Sequence, residues 1–186
     1  TLDYYLGDHE PAVVIYTHDM FEPIDRARRA GVAARTWRHS LCLDGAQDGA
    51  LSWPELLAAT SGTPPEATDE SAVAHLSYTS GTSGRPKGAC LAHEATARAT
   101  NCIAERLRLR PGDVSFGPTA LSSSYQLVAN LLPPLHRTCS INVMGRWSPA
   151  AGFDALVARE ATVFVGNPIM LTDVLVEARG REGVAP

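Results

Sequence analysis

Two periods of apolar residues alternate along this chain. Leu2, Tyr5 and Leu6 have helical spacing and are punctuated by Gly7-Asp8, and the apolar run 12–16 that follows reads as a buried strand. Residues 21–30 then look helical, with Gly31 as their stop, and 37–43 reads as a strand closed by Asp44-Gly45. Ser52-Trp53-Pro54-Glu55 has the form of a capping box: Ser52 can accept from the third helical N–H and Glu55 can reach back. A short helix to about residue 59 is expected there. The stretch 60–71 is rich in Thr, Ser, Pro and acidic residues, offers little to bury, and reads as a surface linker.

The alternation then resumes. Strands are expected at 73–79 and 89–92 on either side of a glycine-rich loop, followed by an amphipathic helix over 94–107 that Pro111-Gly112 ends. Later strands are expected at 114–116, 139–144 and 162–165, with helices near 125–132, 149–159 and 169–178. Ser148-Pro149 supplies an N-cap and a proline-tolerant first helical position. Strands interleaved with helices predict an α/β fold with mostly parallel sheets flanked by helices. The expected division is a first α/β subdomain over 1–92, ending in the hairpin around the glycine loop, and part of a second over 93–186. No repeat of fixed period is present.

Composition adds limits. The chain has 186 residues, 45% of them hydrophobic and 19% charged, with a net charge of -4, which disfavours nonspecific nucleic-acid binding. Cys42, Cys90, Cys102 and Cys139 are far apart and form no C-x-x-C pair, so they read as reduced, mostly core residues. The histidines show no ligand spacing, and no metal site is expected. The apolar runs are too short to span a bilayer and no signal sequence opens the chain, so the expected location is cytoplasmic.

The most informative segment is Tyr78-Thr79-Ser80-Gly81-Thr82-Ser83-Gly84-Arg85-Pro86-Lys87-Gly88. Glycines let backbone N–H groups approach an anion, hydroxyls add donors that rotate to fit, and Lys87 brings a mobile positive charge. Pro86 stiffens the turn that delivers the lysine. The Walker pattern does not apply, because it needs Gly-Lys-Ser/Thr opening a helix, and G-x-G-x-x-G is absent. Composition alone also admits a Ser/Gly surface turn. Of the 16 basic residues, however, Lys87 is the only lysine and the other 15 are arginine. Its place in this loop points to a need for a compact ammonium rather than a planar fork.

This segment resembles the signature loop of the adenylate-forming superfamily, which includes acyl-CoA synthetases, aryl-CoA ligases, luciferases and peptide-synthetase adenylation domains. The resemblance implies that Thr79, Ser80, Gly81, Thr82, Ser83 and Gly84 hold the ATP phosphates, with Lys87 as their charged, catalytic partner. Ser83 stands where the family commonly has threonine, and it keeps a hydroxyl. Leu91-Ala92-His93-Glu94 and Arg110-Pro111-Gly112-Asp113-Val114 are similar to the family's next two junctions. Residues 116–126 and 164–169 resemble the stretches that line the acid pocket, which makes Ser123, Ser124, Tyr125, Gly166, Asn167 and Pro168 its expected residues. The Gly-x-Pro turn favours the acyl- and aryl-CoA ligases over the peptide-synthetase domains. Many family members have an aromatic residue and a histidine where this chain has Ser122-Ser123-Ser124-Tyr125. Those serines also suit an ordinary capped helix start, so the identity of the acid stays open.

The resemblance thus implies ATP, a carboxylic acid and CoA as partners, with Mg²⁺ held by residues outside this sequence. The family's aromatic-Gly-x-Thr-Glu motif and lid lysine have no counterpart here: no Thr-Glu pair occurs and Lys87 has no second lysine to accompany it. The chain also begins at Thr1 and stops at Pro186. The expectation is a piece of a larger ligase, inactive by itself and prone to self-association through uncovered apolar surface. The alternatives are a natural truncated nucleotide-binding or interaction module, or a piece of a peptide-synthetase adenylation domain.

Overall fold

The computed structural model describes residues 2–59, 62, 69–79, 84–120 and 122–181. Contacts group the chain into two compact units, residues 1–66 and 67–186. Both have the α/β character expected, with parallel three-stranded sheets flanked by helices and one added antiparallel hairpin.

In the first unit, helix α1 (Leu2–His9) precedes strand β1 (Val13–Tyr16), a 3₁₀ turn (His18–Met20) and helix α2 (Phe21–Arg29). Strands β2 (His39–Cys42) and β3 (Leu51–Ser52) and helix α3 (Trp53–Ala59) follow. The sheet order is β1-β2-β3, all parallel, with Val13 opposite His39 and Tyr16 opposite Cys42. Helix α1 runs through Gly7 to His9 instead of ending there; a single glycine costs a helix only about 1 kcal/mol. Ser52 does cap α3, accepting from the Glu55 N–H at 3.5 Å.

The core of this unit joins Leu6, Val14, Tyr16, Ile24, Ala27 and Cys42, with Phe21 and Trp37 packed against it. The unbroken apolar run of β1 predicted burial on both faces. Val14 and Tyr16 are buried, but Val13 and Ile15 on the other face are about half exposed, at 47% and 54%. The helices therefore cover one face of β1 only.

In the second unit, β4 (Val73–Thr79) and β5 (Lys87–Ala92) form an antiparallel hairpin leading into helix α4 (His93–Arg106). Strands β6 (Val114–Gly117), β7 (Ser140–Val143) and β8 (Val163–Phe164) form a parallel sheet with β6 in the middle. Helices α5 (Leu132–His136), α6 (Pro149–Ala158) and α7 (Pro168–Arg179) complete it. The hairpin groups by contact with residues 67–186.

The helix expected near 125–132 is present, but Gln126–Leu131 is wound as a π-helix and continues into α5 through Pro133 and Pro134. Neither proline has an N–H, and each ring crowds the carbonyl four residues back. The Leu132 N–H bonds Leu127 O, the wider i→i+5 spacing, so the turn before the prolines opens to accommodate them. Ser148 caps α6 as expected, accepting from Ala151 N–H at 3.4 Å.

Of the four cysteines, only Cys42 is buried; Cys90 and Cys102 are exposed, Cys139 is intermediate, and none is in a disulfide. The expectation of mostly core cysteines fails because Cys90 lies on the exposed strand β5 and Cys102 on an open face of α4. Among the described residues, no helix is long and apolar enough to cross a membrane.

Candidate functional site

The hairpin is built by strand pairing that sets Thr79 opposite Lys87 and Tyr78 opposite Gly88. Directly opposed residues hold their Cβ atoms roughly 5 Å apart, so the loop end of the hairpin presents a hydroxyl and an ammonium side by side. Both residues are exposed. Gly84 has φ +83°, in the left-handed region where a side chain is strained, which explains glycine on the return path of the loop. Ser80, Gly81, Thr82 and Ser83 lie outside the described residues. No described carboxylate pairs with Lys87.

Strand period two places His75, Ser77 and Thr79 on one face of β4. A cavity of about 470 Å³ is lined by residues 75–79 on one side and 122–125 on the other. Thr79 therefore belongs both to the mouth of the hairpin and to this cavity. The Ser77 and Ser124 hydroxyls are hydrogen-bonded across it. Ser123, Ser124 and Tyr125 are thus brought against the strand that leads into the glycine loop. His75 and Ser77 were missed from the sequence, although alternation back from Thr79 would have found them. The His75 Nδ1 is buried and has no hydrogen-bond partner among the described residues.

The second expected stretch reaches the cavity where the Tyr125 hydroxyl donates to the Gly166 carbonyl at 3.3 Å. Asn167 and Pro168 have a local structural task. The Asn167 side chain accepts the Met170 N–H at 3.0 Å and caps α7, with Pro168 at its first position.

Beneath the cavity, two buried amides hold the 122–125 turn in place. Gln126 Nε2 donates to the Gly117 carbonyl at 2.9 Å, and Asn130 Nδ2 donates to Gln126 Oε1 at 2.8 Å and to the Val165 carbonyl at 2.9 Å. The Thr119 hydroxyl donates to Gln126 Oε1. The ends of β6 and β8 are thereby tied to the π-helix that Tyr125 precedes. The backbone must approach closely for this: a Cβ on Gly117 would lie 2.5 Å from Asn130 Cγ. Phe116, 2% exposed, stacks on Phe164 at 6.1 Å, and Trp147 lies 6.3 Å from Phe164, which gives the sheet end a rigid aromatic backing.

Asp113 organises the entry to β6. Its Oδ2 accepts the Arg110 N–H at 2.7 Å and its Oδ1 accepts the Thr162 hydroxyl at 2.8 Å, while its carbonyl accepts the Ser140 N–H at 2.9 Å. The Arg110 backbone bond, then the Thr162 hydroxyl, hold its carboxyl below the usual carboxylate range. The Arg110-Pro111-Gly112-Asp113-Val114 turn thus joins the starts of all three strands of this sheet.

A model of the family described as AMP-binding enzyme matches residues 1–184. The chain is 31% identical over 109 residues to a 3-hydroxybenzoate–CoA/4-hydroxybenzoate–CoA ligase of Thauera aromatica, covering 58% of this chain and 21% of that protein. It is 26% identical over 185 residues to a 4-hydroxybenzoate–CoA/benzoate–CoA ligase of Rhodopseudomonas palustris, covering 98% of this chain and 34% of that protein. Among solved structures, ATP-bound MatB from Rhodopseudomonas palustris superposes with a TM-score of 0.74 at 28% identity, over 94% of this chain and 33% of MatB. The chain therefore spans between one-fifth and about one-third of the length of these relatives.

Proposed function

The chain belongs to the AMP-binding enzyme family, and from that premise we propose that it forms the phosphate-holding and part of the acid-holding machinery of an ATP-dependent acid–CoA ligase. The observation that carries this reading is the cavity shared by β4 and the 122–125 turn, with Thr79 and Lys87 at the hairpin end beside it. A triphosphate at the hairpin meets the ammonium of Lys87 and the hydroxyl of Thr79, and the loop residues Ser80, Gly81, Thr82, Ser83 and Gly84 complete its shell.

The acid carboxylate attacks the α-phosphorus of ATP. A new P–O bond forms to the carboxylate oxygen, the bond to the bridging oxygen breaks, and pyrophosphate leaves with that electron pair. The thiol sulfur of CoA then attacks the acyl carbon, AMP departs, and the thiol proton is released. No side chain of this sequence is a covalent nucleophile in either step. Its contribution is preoriented donors and positive charge around the phosphates as negative charge moves onto the leaving group.

Magnesium does not fit the described residues: the cavity lining among them offers hydroxyls, an imidazole and aliphatic or aromatic groups, but no carboxylate. The names of the relatives favour an aromatic acid, and the serine-rich wall of the cavity suits one that carries a polar substituent. A polypeptide of these 186 residues alone is proposed to make no acyl-adenylate, because it has neither a Thr-Glu pair nor a second lysine.

The cavity assignment is tested by filling it. In a longer polypeptide that contains this chain and has ligase activity, Ser124→Leu should raise KM for the acid by about tenfold or more while leaving KM for ATP little changed. An unchanged acid KM, or an effect confined to ATP, defeats the assignment.

A further inference from the structure

We propose that the first unit carries a binding site for one zinc-class divalent cation at the carboxyl ends of β1 and β2, formed by His18, Cys42 and Asp44. One ligand atom from each of the three residues lies within 4.8 Å of the others. Cys42 ends β2 opposite Tyr16, the last residue of β1, and the two chains then diverge into the His18 turn and the Asp44 turn.

The donor set is chemically distinctive. A thiolate, an imidazole and a carboxylate together suit a borderline cation such as Zn²⁺, and three protein ligands leave a fourth position for water. Thiolate and carboxylate also balance the two positive charges of the ion.

Backbone groups already orient two of the ligands. The His18 backbone N–H donates to Asp44 Oδ2 at 2.6 Å, which fastens the carboxylate to the His18 turn and leaves its other oxygen for an ion. His18 Nε2 lies 3.4 Å from the Ala46 carbonyl. If that nitrogen carries the proton, Nδ1 presents its lone pair, the arrangement in which metal-bound histidines commonly donate their second nitrogen to a carbonyl.

Tetrahedral ligands at zinc distances lie roughly 3.5 Å apart, so closing from 4.8 Å requires about an ångström of side-chain movement. His18 and Asp44 are exposed and can supply that movement, while Cys42 is fully buried and fixed. Local spacing could not reveal the site, because His18 and Cys42 are brought together only by strand pairing.

Cobalt(II), as a coloured stand-in for zinc, tests this on the reduced 186-residue chain. The expected result is one equivalent of cobalt with thiolate-to-metal absorption and strong tetrahedral visible bands, displaced by one equivalent of Zn²⁺. His18→Ala and Asp44→Asn, both at exposed positions, should each weaken binding at least about tenfold. Cys42→Ser should abolish the thiolate band, and Cys90→Ser/Cys102→Ser should leave it intact. Absence of stoichiometric binding overturns the proposal. So does a spectrum that survives His18→Ala and Asp44→Asn, or one lost with Cys90 and Cys102, which marks adventitious chelation by the exposed thiols.

Discussion

Gly117→Ala isolates the close packing that positions the 122–125 turn. The new Cβ would lie 2.5 Å from Asn130 Cγ, 2.7 Å from its Cβ and 2.8 Å from its Nδ2, about 1 Å inside ordinary contact. Asn130 is 1% exposed and its amide already bonds Gln126 Oε1 and the Val165 carbonyl, so it has no free direction of retreat. Overpacking of this kind costs about 1–3 kcal/mol, and displacing the amide from one hydrogen bond adds about 1 kcal/mol. A loss of about 2–4 kcal/mol is expected. Urea unfolding followed by far-UV circular dichroism measures it, with Gly145→Ala as control because a Cβ there meets nothing within 4 Å. The control should stay within about 0.5 kcal/mol of the parent. If Gly117→Ala unfolds at the same urea concentration as Gly145→Ala, the amide network is not the rigid support described.

Two further outcomes follow from other parts of the molecule. Because its hydrogen bonds lower the Asp113 pKa, this carboxylate's contribution to stability is present at neutral pH and is lost as pH falls through its folded-state value. Asp113→Asn should therefore lower the melting temperature at neutral pH, with the gap from the parent closing in acid; a gap independent of pH contradicts the assignment. Helix α7 exposes Ile169 at 71% and Val176 at 61%, seven residues apart on one face, so the 186-residue chain is expected to self-associate. Sedimentation velocity at increasing concentration should show species larger than a monomer that Ile169→Glu/Val176→Glu reduces, and a concentration-independent monomer counts against it.

The sequence was most informative where a local rule governs the structure. Strand β4 has the expected bounds, and the expected caps at Ser52 and Ser148 arise from short polar side chains beside helix starts, interactions confined to three or four residues. The glycine loop stood out in the sequence by its density of glycines and hydroxyls and by its lone lysine. What escaped depends on distant pairing. The two-residue β3 carries too little pattern to be seen, and it exists because Leu51 and Ser52 pair with Leu41 and Cys42. Pro133-Pro134 reads as a helix breaker, yet the π-helical turn before it carries the chain onward. His75 and Ser77 gained their place at the cavity only when the 122–125 turn was set against β4, a contact spanning 47 residues between Ser77 and Ser124.

Lys87, at the hairpin end beside the shared cavity, is proposed to act on the phosphates of ATP during acid activation. Acid-dependent ATP–pyrophosphate exchange by a longer, active polypeptide containing this chain tests it most directly, comparing Lys87 with Lys87→Ala at saturating acid. Loss of a cation that stabilises the departing pyrophosphate should reduce exchange by about a hundredfold with the fold intact by circular dichroism. Exchange that is unchanged in the folded Lys87→Ala variant would contradict the account.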